Sequence, residues 1–199
     1  MGQYYKAVIL RDDDTIKTSF CSHAYDNGLK LMEHSYVDNL LMRAVEAELF
    51  ECPQRLVWAG DYADPETEDD RNLYEMSNSQ EEKFLQELKN QTFSIFKDDL
   101  KVLVSPTVPL EKSADFIVNE DKKKFVRTRA GKPVSWSDND VQIHPLSLMT
   151  CEGNGRGGGD FRGDDIGAVV GIWARDHIRV TNDHPGDEYA EVVFNLTEG

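Results

Sequence analysis

Residues 151 to 165, CEGNGRGGGDFRGDD, place six glycines and two arginines in a chain that is otherwise acidic. Consecutive glycines take mixed right- and left-handed conformations, which turn several backbone N–H groups toward one point. Arg156 and Arg162 would add charge-assisted hydrogen bonds, so Gly155, Arg156, Gly157, Gly158, Gly159, Asp160 and Arg162 read as a cradle for a phosphate or carboxylate. Asp160, Asp164 and Asp165 lie beside the arginines, and internal ion pairs would order the same segment with no ligand at all. The stretch does not match G-x-x-x-x-G-K-[ST], and it is predicted to precede a strand, where the phosphate loops of the common nucleotide folds precede a helix. A hairpin tip, or a close backbone crossing, accounts for the glycines equally well.

Acid–base candidates are His34 and His144, because an unperturbed imidazole titrates near neutrality. Asp61 and Glu152 are the carboxylates that would serve with them. Each histidine also has a structural reading, as a side chain hydrogen-bonded inside the fold or, for His144, as the residue entering a proline turn. Cys21 or Cys151 with His34 and Asp61 would make a nucleophilic set, although a free cysteine is more often a small buried apolar residue. No H-E-x-x-H or C-x-x-C occurs, and the acid spacing is not that of a calcium loop, so no metal is assigned and no cofactor is identified. Trp58 would stack a base or sugar, or simply fill the core.

These residues need elements to hold them. YYKAVIL, the acidic turn DDD and TIKTSFCS predict a hairpin, and Asp26-Asn27-Gly28 a further turn. Leu29 and Leu31 alternate with Lys30 and Met32 as a third strand would, with a short helix as the alternative. From Val37, apolar residues recur at three and four positions until Pro53 ends an amphipathic helix. RLVWAGDYAD is predicted to be a strand running into an acidic loop around residues 61–78. A second helix is predicted to start at Ser79, with Glu82 completing a capping box and Phe84, Leu85 and Leu88 as its apolar face. DLKVLVSP, the two halves of ADFIVNEDKKKFVRT, AVVGIWARDHIRV and EYAEVVFNL are predicted strands. The sum is one domain over residues 1–199, an α+β fold with a largely antiparallel sheet and two main helices packed on one face of it.

The chain has 37 acidic and 22 basic residues, a formal net charge of −15. That field repels nucleic-acid backbone and anionic membrane, so direct nucleic-acid binding is disfavoured and no membrane partner is expected; a basic protein partner suits it. The start of the chain lacks the pattern of a secretion signal, and three scattered cysteines form no disulfide framework, which points to the cytoplasm.

GQYYKAV, YDNGLKLMEHSY, LVWAGDYAD and HPLSLMTCEGNGRGGGDFRG, followed by WARD, resemble a family of bacterial and phage-type hypothetical proteins of about this length. The resemblance spans most of the chain in scattered blocks, least between Pro65 and Lys132, and it implies no activity. It does imply that the polar residues of those blocks share one place, which adds Asn27 and Arg175 to the ligand-binding candidates. The first expectation is then an anionic, nucleotide- or phosphate-like small ligand at the Gly/Arg-rich loop, with or without turnover. The other is an acidic interaction factor, of the immunity or phage counter-defence type, that covers a basic or nucleic-acid-binding surface of a partner.

Overall fold

The computed structural model describes residues 3–66, 70–80, 107–131, 133–136, 139–153 and 168–194, and among residues 132–140 only backbone is described. Its centre is a mixed, mostly antiparallel sheet of eight strands, consistent with the α+β expectation. Strand β1 (Tyr5–Leu10) pairs on one side with β2 (Ile16–Phe20) and on the other, over its whole length, with β3 (Gln54–Gly60), all antiparallel. Beyond β3 lie β9 (His177–Thr181), β4 (Phe116–Asn119), β5 (Lys124–Arg127) and the short β10 (Ala190–Glu191). Strand β8 (Cys151–Glu152) runs parallel to β3. A separate hairpin joins β6 (Pro133–Trp136) to β7 (Asn139–Gln142).

Both faces of the central strands are covered, and this is why β1 is buried along its whole length and apolar except at Lys6. Tyr5, Ala7, Ile9, Leu56 and Trp58 face the larger core, where helix α2 (Leu40–Leu49) contributes Leu41, Met42, Ala44, Val45 and Leu49. Val8, Leu10, Val57 and Ala59 face the other side, against Leu73, Tyr74 and Met76. Those three belong to helix α3, residues 73–80. The helices therefore lie on opposite faces of the sheet, not on one.

Local chemistry sets the element ends. Asn39 caps α2 by accepting from the Leu41 N–H at 2.9 Å, and Asn72 caps α3 through the Glu75 N–H at 3.0 Å. Helix α3 accordingly begins inside the stretch expected to be acidic loop, and Ser79 sits within it, donating to the Glu75 carbonyl. The predicted capping partner Glu82, the apolar face at Phe84, Leu85 and Leu88, and most of the DLKVLVSP strand lie outside the described residues. Leu31–His34 forms a single helical turn, α1, where alternation suggested a strand; Glu33 reaches back to the Lys30 N–H at 2.9 Å and starts it. Residues 168–176 form turns where a strand was expected. Gly171 and Arg175 both take positive φ there, 68° and 66°, which no strand accommodates. Helix α4 (Pro145–Met149) is capped by His144, with Pro145 in its first turn. No helix among the described residues is long and apolar enough to cross a membrane.

Candidate functional site

The outer edge of β3 is shared by two partners. Its first half pairs antiparallel with β9, Gln54 opposite Ile178 and Arg55 opposite His177. Its second half pairs parallel with β8, Trp58 opposite Cys151 and Ala59 opposite Glu152. Between them the Arg175 N–H donates to the Leu56 carbonyl at 2.8 Å and the Trp58 N–H to the Thr150 carbonyl at 2.9 Å. Arg175 thus sits where the sheet changes direction, and its left-handed backbone makes the turn.

The Arg175 guanidinium forks onto Glu152, Nε to Oε1 at 2.7 Å and Nη2 to Oε2 at 2.8 Å. Its other edge meets Glu66, with Nη1 donating to Oε2 at 3.0 Å and Nη2 to Oε1. Hydrogen bonds to Glu152 and then Glu66 raise the Arg175 pKa further above its already high value. With two carboxylates on one cation, the guanidinium as placed keeps no free edge for an incoming anion.

Gly60 ends β3 because nothing larger fits: a Cβ there would lie 2.6 Å from the Glu152 carbonyl oxygen. Asp61 follows and prolongs the β1–β3 ladder, its N–H donating to the Tyr4 carbonyl at 2.9 Å and its Oδ1 accepting from the Tyr4 N–H at 3.1 Å. On the other strand, Gly153 passes against the Gln3 amide and the Tyr5 hydroxyl, which bond each other. From this point the chain enters the Gly-rich segment. It rejoins the described structure at Ala168, with the Gly171 N–H donating to the Leu148 carbonyl at 2.9 Å and the Trp173 N–H to the Met149 carbonyl at 2.7 Å. Gly155, Arg156, Gly157, Gly158, Gly159, Asp160 and Arg162 themselves lie outside the described residues.

Asp61, Glu152 and Arg175 therefore lie around one end of β3, whereas Trp58, expected to stack a ligand or fill the core, fills the core: it is fully buried on the other face of the strand. The other candidates are elsewhere. His34 is fully buried beneath Trp58, its ring stacked on the indole with centroids 5.9 Å apart. Its Nδ1–H donates to the Gly28 carbonyl at 3.0 Å, and its Nε2 accepts from the Trp58 Nε1–H at 3.0 Å. Burial lowers its pKa to about 4, against the weaker raising effects of the Gly28 carbonyl and Glu33. A neutral imidazole with both nitrogens engaged positions Trp58 and, as placed, has no proton or lone pair to offer a ligand. His144 is equally buried: Nδ1 accepts from the Leu146 N–H at 3.2 Å and Nε2–H donates to Glu46 Oε1 at 3.1 Å. Asn27 braces Asn39, accepting from its Nδ2 at 2.7 Å, and donates to the Tyr25 carbonyl at 2.6 Å. Among the described residues, no three His, Cys, Asp or Glu side chains gather to hold a metal ion.

The sequence marks Glu66 only as part of an acidic stretch, with no sign of its pairing with Arg175, and sequence reasoning does not single out Glu46 at all. Neither carries a motif, and their partners are 109 and 98 positions away. The one available signal was that Glu46 falls on the apolar face of α2, between Val45 and Leu49, where a carboxylate needs a partner. No family model matches the chain, and neither a curated protein nor a solved structure matches it.

Proposed function

We propose that this protein binds a small anionic ligand, nucleotide- or phosphate-like, on residues 155–162, with or without turnover. The observation that supports this reading is where the segment is mounted. It leaves the sheet after β8, whose partner β3 pairs parallel there and antiparallel with β9, and the described chain resumes at Ala168 in the turns that lead back to β9. Binding residues are often carried on loops that a rigid scaffold positions, and this loop is anchored at its near end by the paired strands β3 and β8. Arg175 is engaged by Glu152 and Glu66, so the cations of the site are Arg156 and Arg162, with the loop N–H groups beside them. Asp61 and Glu152 are the carboxylates that this reading assigns to acid–base work if chemistry follows. A bacterial or phage source and a cytoplasmic setting belong to this proposal. Calorimetric titration with a panel of nucleotides and sugar phosphates tests it: Arg156→Ala or Arg162→Ala should abolish any binding found, and unaltered affinity in both would refute the assignment.

A second reading is favoured by the anchoring of the acidic stretch. Glu66 is tied to Arg175, and Asp64 and Asp70 are exposed on either side of it, so carboxylates are displayed from a fixed base. Such a surface would cover a basic partner, with binding that falls steeply with salt. Charge reversal at Asp64, Glu68, Asp69 and Asp70 would then weaken the complex, and no change would end this reading.

A further inference from the structure

A cleft of about 320 Å³ opens at the opposite end of β3, between the first hairpin and the start of that strand. Counting about 3.3 Å per strand residue, Arg55 is about 20 Å from Asp61, so this is a separate place from the seam described above. Leu10 and Pro53 give it an apolar floor, while Arg11, Lys17, Arg55 and His177 supply positive or protonatable groups. In a chain with 37 acids against 22 bases, such a gathering would be expected to be neutralised by carboxylates.

Only half of it is. Arg55 is paired through Nη2 with Asp14 at 2.7 Å, and its remaining groups bond the carbonyls of Arg175, Arg11 and Asp12. His177 is engaged through Nδ1 with Asp121 at 3.1 Å and faces Asp12 at 3.6 Å. Arg11 and Lys17 have no carboxylate within ion-pairing distance among the described residues. Arg11 uses only Nη1, to Thr15 Oγ1 at 3.2 Å and the Ile16 carbonyl at 2.6 Å, which fixes the guanidinium and leaves Nε and Nη2 free. Lys17 donates one hydrogen, to Gln54 Oε1 at 2.8 Å. The one acid lining the cleft, Asp12, has a side chain 96% exposed and stands 3.6 Å from His177 Nε2, and Asp13 lies near enough to Arg11 to feel its charge without pairing with it.

The walls are rigid before any ligand arrives. The Arg11 N–H donates to the Thr15 carbonyl at 2.8 Å, the Asp14 N–H returns to the Arg11 carbonyl at 3.1 Å, and Arg55 staples that turn to the sheet. Arg11, held by two hydrogen bonds, and Lys17, held by one, keep donors unused beside Leu10 and Pro53, and together they suit a small negatively charged molecule.

We propose that this cleft binds a small oxyanion, a phosphate or carboxylate group, between Arg11 and Lys17, independently of residues 155–162. NMR titration of the full chain with inorganic phosphate, and separately with citrate, at ionic strength held constant with sodium chloride, tests the idea. Amides of residues 11–17 and 54–55 should shift saturably with at least one probe, and which one does so separates phosphate from carboxylate chemistry. Arg11→Gln and Lys17→Gln should each weaken that binding about tenfold, the loss of one charge-assisted hydrogen bond, while Arg156→Ala leaves it unchanged. Failure of both probes to saturate, or wild-type affinity retained in both glutamine variants, would overturn the proposal. Loss of binding in Arg156→Ala alone would overturn it too, while supporting the first site.

Discussion

Arg175 and Glu152 face each other as a bidentate pair, Nε to Oε1 at 2.7 Å and Nη2 to Oε2 at 2.8 Å, across the gap between β9 and β8. Glu152 belongs to the two-residue strand from which the Gly-rich segment departs, and Glu66 holds the same guanidinium from the chain that follows β3. One cation therefore closes the sheet edge and ties two loops to it. The side chains are about a quarter exposed, so the ion pairs are worth less than their geometry alone suggests.

Arg175→Lys should fail to restore what Arg175→Ala loses. An ammonium cannot serve both carboxylates with parallel pairs of hydrogen bonds, so both variants should melt below wild type, by about 1 to 3 kcal/mol of stability. Urea unfolding of the three proteins checks this; a lysine variant as stable as wild type would show that charge alone suffices.

Stability should fall between pH 6.5 and about 4 because of His34. The folded pKa is depressed to about 4 from 6.5, so the unfolded chain takes up the proton first. The contribution is complete above pH 6.5, shrinks as pH falls, and is gone by about pH 4, for a total on the order of 3 kcal/mol. Glu120 acts lower down. Burial raises its pKa, but hydrogen bonds from Tyr189, Arg179 and Lys123 outweigh that and hold it at about 2, so its contribution is lost only between pH 4.5 and 2. Chemical unfolding at several pH values above 4.5 should give the His34 slope, and His34→Gln should flatten it.

Gly171→Ala should be far more damaging than Gly131→Ala. Gly171 has φ of 68° and a Cβ there would lie 2.7 Å from the Cys151 carbonyl oxygen, whereas the nearest atom to a Cβ at Gly131 is 3.6 Å away, an ordinary contact. The expected cost is about 1 to 3 kcal/mol at Gly171 and within about 0.5 kcal/mol at Gly131. Denaturant midpoints of the two variants provide the comparison.

Alkylation should discriminate among the cysteines. Burial pushes the Cys151 thiol up to about 12, whereas Cys52 is exposed and Cys21 intermediate. Iodoacetamide under mildly alkaline native conditions should label Cys52 first and leave Cys151 intact until the protein unfolds. Peptide mass mapping over time reads the order directly.

Much of the fold was legible because it is local. The YYKAVIL and TIKTSF hairpin, the helix ending before Pro53 and the hairpin turning near Asp121 each declare themselves through spacing and turn residues. What escaped was decided at a distance. Whether Leu29–Met32 extended or coiled depended on one bond from Glu33 to the Lys30 N–H. The turns at 168–176 follow from packing Trp173 into the core, which periodicity does not encode. Of the site candidates, Asp61, Glu152 and Arg175 gather at one strand end, while Trp58 is buried in the core. His34 holds Trp58, and His144 and Asn27 brace α2 and its neighbours elsewhere in the fold; a buried histidine and a catalytic one look alike in sequence. That Arg175 is already engaged could not be read without knowing where Glu66 falls.

The measurement that bears most directly on the account is native mass spectrometry of gently purified protein, set against its denatured mass, for wild type and for Arg156→Ala with Arg162→Ala. The account predicts a released mass of a phosphate-bearing or similarly anionic compound from wild type, and its absence from the double variant. A bare wild-type mass that stays bare when nucleotides and sugar phosphates are added, or a ligand retained equally by the double variant, would contradict it.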